Sequence, residues 1–270
     1  MPTLEPAQIA LLAGAALLAG AVNAVAGGGS LLSFPALLAV GYPALTANVT
    51  NTVALTPGYF GGTLGYRREL EGQQGRALAL GAISAVGAVV GAWLLLISSA
   101  ELFERVVPFL IFLACGLLAA QPRLARLVRE RREAPLPAAD PPPVGARADA
   151  GDHHTLPLFG AQFLAAAYGA YFGAGVGIMM LAILGIFVAD NLQRLNALKG
   201  LLSLLINLIA AVSFALFADV SWVAVAVMAV ASLLGGQLGV VLARRLNDRA
   251  LRWLVIAFGV AVGLRLLLAD

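Results

Sequence analysis

The sequence predicts an all-α polytopic membrane protein, and three observations support this fold class. Of the 270 residues, 61% are hydrophobic and only 11% are charged, whereas soluble domains carry about a quarter charged residues. The mean hydropathy is +0.92. The apolar residues lie in long unbroken runs, and one of them, 6–66, contains no charged side chain. Such runs are typical of membrane-spanning helices rather than of the short alternating strands of a β-barrel.

Ten apolar segments are predicted along the chain, in two groups of five. The second and seventh segments are too short to cross a bilayer alone, because a crossing takes about 20 residues. We expect these two to be the return arms of broken or re-entrant helices. The ten segments are 7–25, 28–41, 44–65, 77–98, 105–120, 156–174, 176–189, 195–217, 220–243 and 250–268.

A polar stretch separates the two groups of segments. It has five arginines between Arg123 and Arg132, followed by a proline-rich run, which is typical of a solvated linker. The positive-inside rule places this linker in the cytoplasm. The predicted organisation is a first membrane repeat at 1–121, a cytoplasmic linker at 122–155 and a second, inverted membrane repeat at 156–270.

The prediction of inverted repeats depends on matched positions in the two groups. Because each group has an odd number of segments, the second must cross the membrane in the opposite sense. Inverted duplications of this kind recur in secondary transporters. At an offset of 148 residues the matches are Ser84 with Ser232, Gly87 with Gly235, Gly91 with Gly239, Asn48 with Asn196 and Asn51 with Lys199; at an offset of 146 they are Gly27 with Gly173 and Gly29 with Gly175.

Each repeat has a glycine-rich stretch directly before its short segment, "GGGSLLSFP" in the first and "GAYFGAGVGIMM" in the second. We expect both stretches to break helices and to form a binding site, because helix N-termini attract anions. Ser30 is the expected N-cap of the first short helix. The site residues predicted here are Gly27, Gly28, Gly29, Ser30, Gly173, Gly175 and Gly177.

Other glycines are better explained by helix packing, since small residues let membrane helices approach closely. This is the interpretation we favour for Gly87 with Gly91 and for Gly235 with Gly239.

The next segment of each repeat carries a polar stripe at helical spacing. Because residues three and four apart share a helix face, these side chains form one polar face on an otherwise apolar helix. The stripes add Asn48, Asn51, Thr52, Asn196, Lys199 and Ser203 to the predicted site. Lys199 is the only lysine in the chain, and a charge inside the membrane usually marks function. The alternative is that Lys199 extends to the cytoplasmic surface.

These groups suit a small oxyanion, because amides, hydroxyls, an ammonium and helix N-termini all favour negative charge. Asp190 and Asp219 lie at segment ends, so no acidic residue lies inside an apolar run. If transport is coupled to protons, the substrate or Lys199 would carry the proton. The predicted partners are therefore a small anion, protons as one option, and the lipid bilayer. No cofactor, metal or nucleic acid is predicted, and the oligomeric state stays open.

Two stretches resemble the two halves of the TauE/SafE sulfite exporter family, also called the toluene sulfonate uptake permease family. They are "GAVNAVAGGGSLLSFPALLAVGYPALTANVTNTVAL" and "YGAYFGAGVGIMMLAILGIFVADNLQRLNALKGL". Pro35, Ala36 and Leu37 match the P-x-L pattern of the family, whereas Leu181 replaces the proline in the second half. The resemblance implies transport of sulfite, sulfonates or related organosulfur and organic anions across the bacterial inner membrane, without a soluble cofactor.

The predicted function is therefore secondary transport of a small anion by alternating access between the two halves. An anion channel is the alternative, and a membrane scaffold without transport activity is a further one. An enzyme is disfavoured, because the only histidines, His153 and His154, lie in the linker, and intramembrane catalysis needs clustered reactive side chains.

Overall fold

The structure, a computed structural model, describes residues 4–25, 27–133, 156–188, 190–242 and 248–268. These residues form ten α-helices and one short 3-10 helix, with no β-strand among them. The helices are α1 (Pro6–Val25), α2 (Ser30–Ala39), α3 (Ala44–Gly65), α4 (Gln74–Ile97), α5 (Ala100–Glu133), α6 (Leu156–Tyr171), α7 (Val176–Phe187), α8 (Leu192–Phe217), α9 (Trp222–Leu242) and α10 (Asp248–Leu268), and the 3-10 helix is Arg67–Leu70.

The predicted fold class is confirmed. Within the described residues, five helical stretches are long and apolar enough to cross a membrane: Pro6–Ala24, Gln74–Ile97, Ala100–Arg123, Leu192–Phe217 and Trp222–Gly239. α2 and α7 have only 10 and 12 residues, as expected for arms that do not span a bilayer alone. The linker predicted from residue 122 begins as helix, because α5 continues to Glu133. Residues 134–155 of the predicted linker lie outside the described residues.

Large apolar side chains point outward from the helix bundle. Trp93, Phe109, Leu216 and Trp253 are each more than half exposed, although a soluble protein rarely exposes so extended an apolar surface. These side chains lie on α4, α5, α8 and α10. A multi-pass membrane protein solvates such a surface with lipid acyl chains, so this surface fits the predicted class.

The helices pack in matched pairs. α1 packs on α9 and α6 packs on α4, while α3 packs on α9 and α8 packs on α4. Three further contacts correspond in the same way. The α1–α2 contact corresponds to α6–α7, the α2–α3 contact to α7–α8, and the α2–α10 contact to α7–α5. Each pair becomes its match when the first five helices are exchanged for the last five. The packing therefore supports an internal duplication.

Equivalent helices of the two halves run antiparallel where they meet. In the α3–α8 pair the Thr56 hydroxyl donates to the Asn207 carbonyl at 3.5 Å, whereas Thr63, two turns further along α3, lies near Gly200, two turns back along α8. This is the relation that an inverted duplication requires. It supports the prediction of inverted repeats, and the proposed division at 1–121 and 156–270 stays a prediction.

The glycine pairs of α4 and α9 pack helices closely, as predicted. An added Cβ at Gly91 would overlap the Ala167 carbonyl of α6, and one at Gly235 would overlap the Leu17 carbonyl of α1. Small residues at such crossings let the helix backbones touch. The contacts are also equivalent in the two halves: Gly87 meets Phe163, Gly91 meets Ala167, Gly235 meets Leu17 and Gly239 meets Ala21.

Candidate functional site

The two glycine-rich stretches break the chain in the same way. After α1, Gly27 has φ +81°, and after α6, Gly173 also has φ +81°. Each of these glycines donates its N–H to the carbonyl five residues earlier, that of Val22 at 3.0 Å and that of Tyr168 at 3.2 Å. A residue with a side chain is strained in this left-handed region. The glycines therefore end α1 and α6 identically.

The two breaks meet at Gly27 and Gly177. An added Cβ at Gly27 would lie 2.6 Å from the Cα of Gly177, and one at Gly177 would lie 2.8 Å from the Cα of Gly27. The two chains thus cross main chain against main chain. Gly177 lies in the first turn of α7, where N–H groups have no acceptor within the helix. The predicted convergence of the broken helices is present in the structure.

Asn23 closes the first break. Its Oδ1 accepts a hydrogen bond from the N–H of Gly29 at 2.7 Å. α2 then begins at Ser30, with Gly29 at the N-cap position and no capping bond from a side chain. The expectation that Ser30 caps α2 is therefore wrong, because Asn23 of the preceding helix supplies the acceptor that a cap would provide.

A small cavity lies beside the crossing, between the ends of α1 and α3 and the first turns of α7 and α8. Its volume is about 20 Å³, which is room for about one water molecule. The predicted site residues Gly27, Gly177, Asn196, Lys199 and Ser203 line this cavity. Asn23, Ala24, Tyr59, Gly62, Thr63, Tyr66 and Gly200 complete the lining.

The cavity holds buried polar atoms that have no hydrogen-bond partner among the residues that the structure describes. They are the Nζ of Lys199, the Nδ2 of Asn23 and the Oδ1 of Asn196. Lys199 is only 2% exposed, so the alternative that its side chain extends to the surface is wrong. No carboxylate lies among the lining residues. Buried polar groups are normally satisfied, and an unpaired buried charge is costly. Two of the three unpaired atoms, the Nζ of Lys199 and the Nδ2 of Asn23, are donors, and the Oδ1 of Asn196 is an acceptor.

Other predicted site residues have partners elsewhere. The Nδ2 of Asn48 donates to the carbonyl of Tyr171 at 2.9 Å, tying α3 to the end of α6. The Thr52 hydroxyl donates to the Asn48 carbonyl within the helix. Asn51 is buried, and its Oδ1 has no partner. The lining of the cavity does not include Gly28, Gly29, Ser30, Asn48, Asn51, Thr52, Gly173 or Gly175.

Sequence reasoning missed four polar lining residues, Asn23, Tyr59, Thr63 and Tyr66. Asn23 was identifiable as an amide four residues before the first glycine of the run Gly27–Gly29, inside an apolar segment. Tyr59 and Thr63 continue the face of Thr52 by helical steps of three and four residues. The polar stripe on α3 was therefore detectable. The part of it that lines the cavity begins two turns after Thr52, the last residue of α3 that was predicted for the site.

Beside the cavity, a charged cluster joins the two halves. Asp190, between α7 and α8, accepts from Arg76 of α4 and from the Nε of Arg194 at 3.0 Å. Burial opposes ionisation of Asp190, but hydrogen bonds from Arg194, from the N–H of Asn191 and from Arg76 outweigh it, so the pKa of this carboxyl lies below its ordinary value. A lowered pKa means that the folded protein stabilises the carboxylate form.

The comparison with known proteins now identifies the family. Residues 12–266 match the model described as Sulfite exporter TauE/SafE. The chain belongs to this family. A probable membrane transporter protein ORF9 from Sinorhizobium sp is 26% identical over 259 residues, covering 96% of this chain and 92% of the relative. The probable membrane transporter protein YfcA of Escherichia coli strain K12 is 25% identical over 264 residues, covering 97% and 91%.

A probable membrane transporter protein from Haemophilus influenzae is also similar, at 28% identity over 241 residues, covering 86% of this chain and 83% of the relative. No solved structure matches the chain significantly. The relatives of this TauE/SafE chain are named as transporters and not as enzymes. The chain is thus a multi-pass membrane protein of a transporter family, as the resemblance predicted.

Proposed function

We propose that the chain is a secondary transporter that carries a small oxyanion across the bacterial inner membrane by alternating access. The cavity beside the Gly27–Gly177 crossing is its binding site. Sulfite, a sulfonate or a related organosulfur anion is the proposed substrate, in keeping with the printed description of the family. The observation that carries the proposal is the buried, unpartnered ammonium of Lys199.

The charge of Lys199 selects the sign of the ligand. An ammonium forms its strongest hydrogen bonds with anionic oxygens, and inside a membrane an unpaired charge is expensive. The Nδ2 of Asn23 adds a second buried donor. The first turn of α7 adds the positive end of a helix dipole. A site with these donors and no carboxylate favours an anion over a cation.

The architecture favours a carrier over a channel. The cavity of about 20 Å³ must widen to admit substrate, a step that a carrier and a gated channel share. Two matched halves that meet at broken helices are the architecture on which alternating access operates.

Thermal unfolding of the purified protein tests the site. A ligand that binds only the folded state stabilises it by about 2.7 kcal/mol at a concentration of 100 Kd. We expect sulfite or a sulfonate to raise the Tm, and Lys199→Gln to abolish the rise. Arg265→Gln is the matched control, because Arg265 is an exposed cation at the end of α10. Anion stabilisation that survives in Lys199→Gln, or is lost in Arg265→Gln, would contradict the assignment.

Reconstitution in proteoliposomes distinguishes the carrier from the channel. A carrier shows saturable flux, and unlabelled anion inside the vesicles drives labelled anion uptake against its gradient. A channel does not show this counterflow. Measuring uptake against pH for wild type and Lys199→Gln also tests proton coupling, since an unchanged rate and pH profile would remove Lys199 from the mechanism.

A further inference from the structure

Two polar clusters tie the halves together at opposite ends of α3. The charged latch consists of Gln73, Arg76, Asp190 and Arg194, and the hydroxyl latch consists of Tyr42, Thr50 and Ser221. α3 has 22 residues, a length of about 33 Å. The hydroxyl latch lies at its first turns and the charged latch follows its last turn, so the two clusters lie near opposite membrane faces.

The charged latch joins the loop before α8 to the start of α4. Beyond the ion pairs of Asp190, the Nε2 of Gln73 donates to the carbonyl of Arg194 at 3.0 Å. The Nη1 of Arg194 donates to the carbonyl of Glu71 at 2.9 Å. The side chains of Asp190, Arg76 and Arg194 are 14%, 16% and 29% exposed, so water screens these bonds only in part.

The hydroxyl latch joins the loop before α3 to the start of α9. The hydroxyls of Tyr42 and Ser221 are hydrogen-bonded at 2.9 Å. The N–H of Ser221 donates to the Thr50 hydroxyl at 3.1 Å. All three residues are buried. This cluster contains no charged group, and no water-exposed side chain takes part in it.

The two latches occupy equivalent positions of the two repeats. The offset of 148 residues that matches α3 to α8 places Tyr42 on Asp190 and Gln73 on Ser221. Gln73 is the N-cap residue of α4, and Ser221 directly precedes α9. The loop before α8 is bonded to the start of α4, which packs on α8, and the loop before α3 is bonded to the start of α9, which packs on α3. The two clusters therefore share one arrangement of loop and helix, but charged side chains take part in one cluster and neutral hydroxyls form the other.

We propose that the two latches are the opposing gates of the transport cycle, and that this structure is the occluded state with both gates closed. This inference rests on the proposed function of the cavity. Tyr66 and Gly200 line the cavity on the side of the charged latch, and Arg194 lies in the same helix as Gly200. Breaking the charged latch opens the cavity toward that end, and breaking the hydroxyl latch opens the path toward the other.

Sided cysteine labelling tests the gates. Cys115 is the only cysteine and is buried, so a Cys115→Ala background accepts a reporter at Ser203→Cys, a lining residue that is only 2% exposed. A membrane-impermeant thiol reagent is added to inside-out vesicles or to spheroplasts.

The loop between α3 and α4 and the first turn of α4 carry Arg67, Arg68 and Arg76, so the positive-inside rule assigns the charged latch to the cytoplasmic face. We expect Asp190→Asn, or Arg76→Gln as a second variant, to raise the labelling rate about tenfold from this face, as loss of one charge-assisted bond implies.

The hydroxyl latch should respond from the other face. Tyr42→Phe, with Ser221→Ala as its second variant, is expected to raise labelling about fivefold from the periplasmic face, because a neutral hydrogen bond contributes less. Asp219→Asn is the matched control, since Asp219 is an exposed aspartate in the loop before α9, and it should leave both rates unchanged. Rates that do not change, or that rise from the same face for both latches, overturn the inference.

The labelling needs no substrate, so it fails independently of the proposed function. If no anion raises the Tm but the sided labelling holds, the assigned substrate is wrong and the gates stand. If anions raise the Tm but the latch variants label as wild type does, the site stands and the gates are refuted.

Discussion

Replacing Gly27 by alanine tests the main-chain crossing on which the site depends. Gly27 has φ +81°, and an added Cβ would lie 2.6 Å from the Cα of Gly177. The neighbouring Gly28 has no positive φ, and its added Cβ would meet only the two methyl groups of Leu118, at 3.6 and 3.8 Å. The same substitution at adjacent positions therefore meets two different environments.

The magnitude follows from two contributions. Left-handed backbone costs a residue with a Cβ about 1–2 kcal/mol, and overpacking against a rigid neighbour costs about 1–3 kcal/mol. Gly27→Ala should thus destabilise the fold by about 2–5 kcal/mol. Gly28→Ala makes an ordinary van der Waals contact and should change stability by less than about 1 kcal/mol. The expected direction is stabilisation, because alanine reduces the conformational entropy of the unfolded chain.

Thermal unfolding of the two variants in the same detergent measures the difference. Gly177→Ala serves as the reciprocal variant, because its added Cβ would lie 2.8 Å from the Cα of Gly27 but its φ is not positive. It should fall between the other two. If Gly27→Ala unfolds at the same temperature as Gly28→Ala, the two breaks do not cross as described.

Three further outcomes follow from the structure. Asn23→Asp should keep its loop hydrogen bond but abolish stabilisation by sulfite, because it sets a carboxylate in the cavity of Lys199; Tm measured with and without sulfite separates the two effects. Gly91→Ala should destabilise by about 1–3 kcal/mol, whereas Gly14→Ala, which meets nothing within 4 Å, should stabilise by about 0.5–1 kcal/mol; thermal unfolding compares them. Wild type should have a higher Tm than Asp190→Asn, and this difference should be largest above the unfolded pKa of about 3.9. It should shrink as the pH falls through the lower pKa of the folded protein, because protonation removes the bonded carboxylate. A Tm difference that stays constant down to about pH 3 would refute this.

The sequence predicted the helices and the breaks well, because both depend on local properties. Runs of apolar residues set the membrane segments, and glycines before the short segments marked where α1 and α6 end. The pairs Gly87–Gly91 and Gly235–Gly239 were correctly assigned to helix packing, since they lack polar neighbours. The ion pair between Asp190 and Arg76 was not predicted, because the two residues are more than a hundred positions apart in the chain.

The predicted site was less complete, because helical spacing identifies a face but not what that face contacts. Asn48 and Asn196 lie at matched positions of the two stripes, yet Asn48 is bonded to a backbone carbonyl, whereas Asn196 lines the cavity. Asn23 was missed as a site residue because its role depends on a loop that folds back over α1. The sequence alone does not show which end of each polar stripe faces the other half, because this depends on how the helices pack.

The contact between Gly27 and Gly177 constrains how such a protein can diversify. Since it consists of main-chain atoms, no exchange of side chains can adjust it in small steps, and any larger residue removes it outright. In the transporter proposed above, changes in what is recognised would arise around the crossing, at the lining positions 196, 199 and 203, while the crossing itself stays fixed. Because the fixed contact is made by two residues without side chains, the side chains around it can change without altering the crossing.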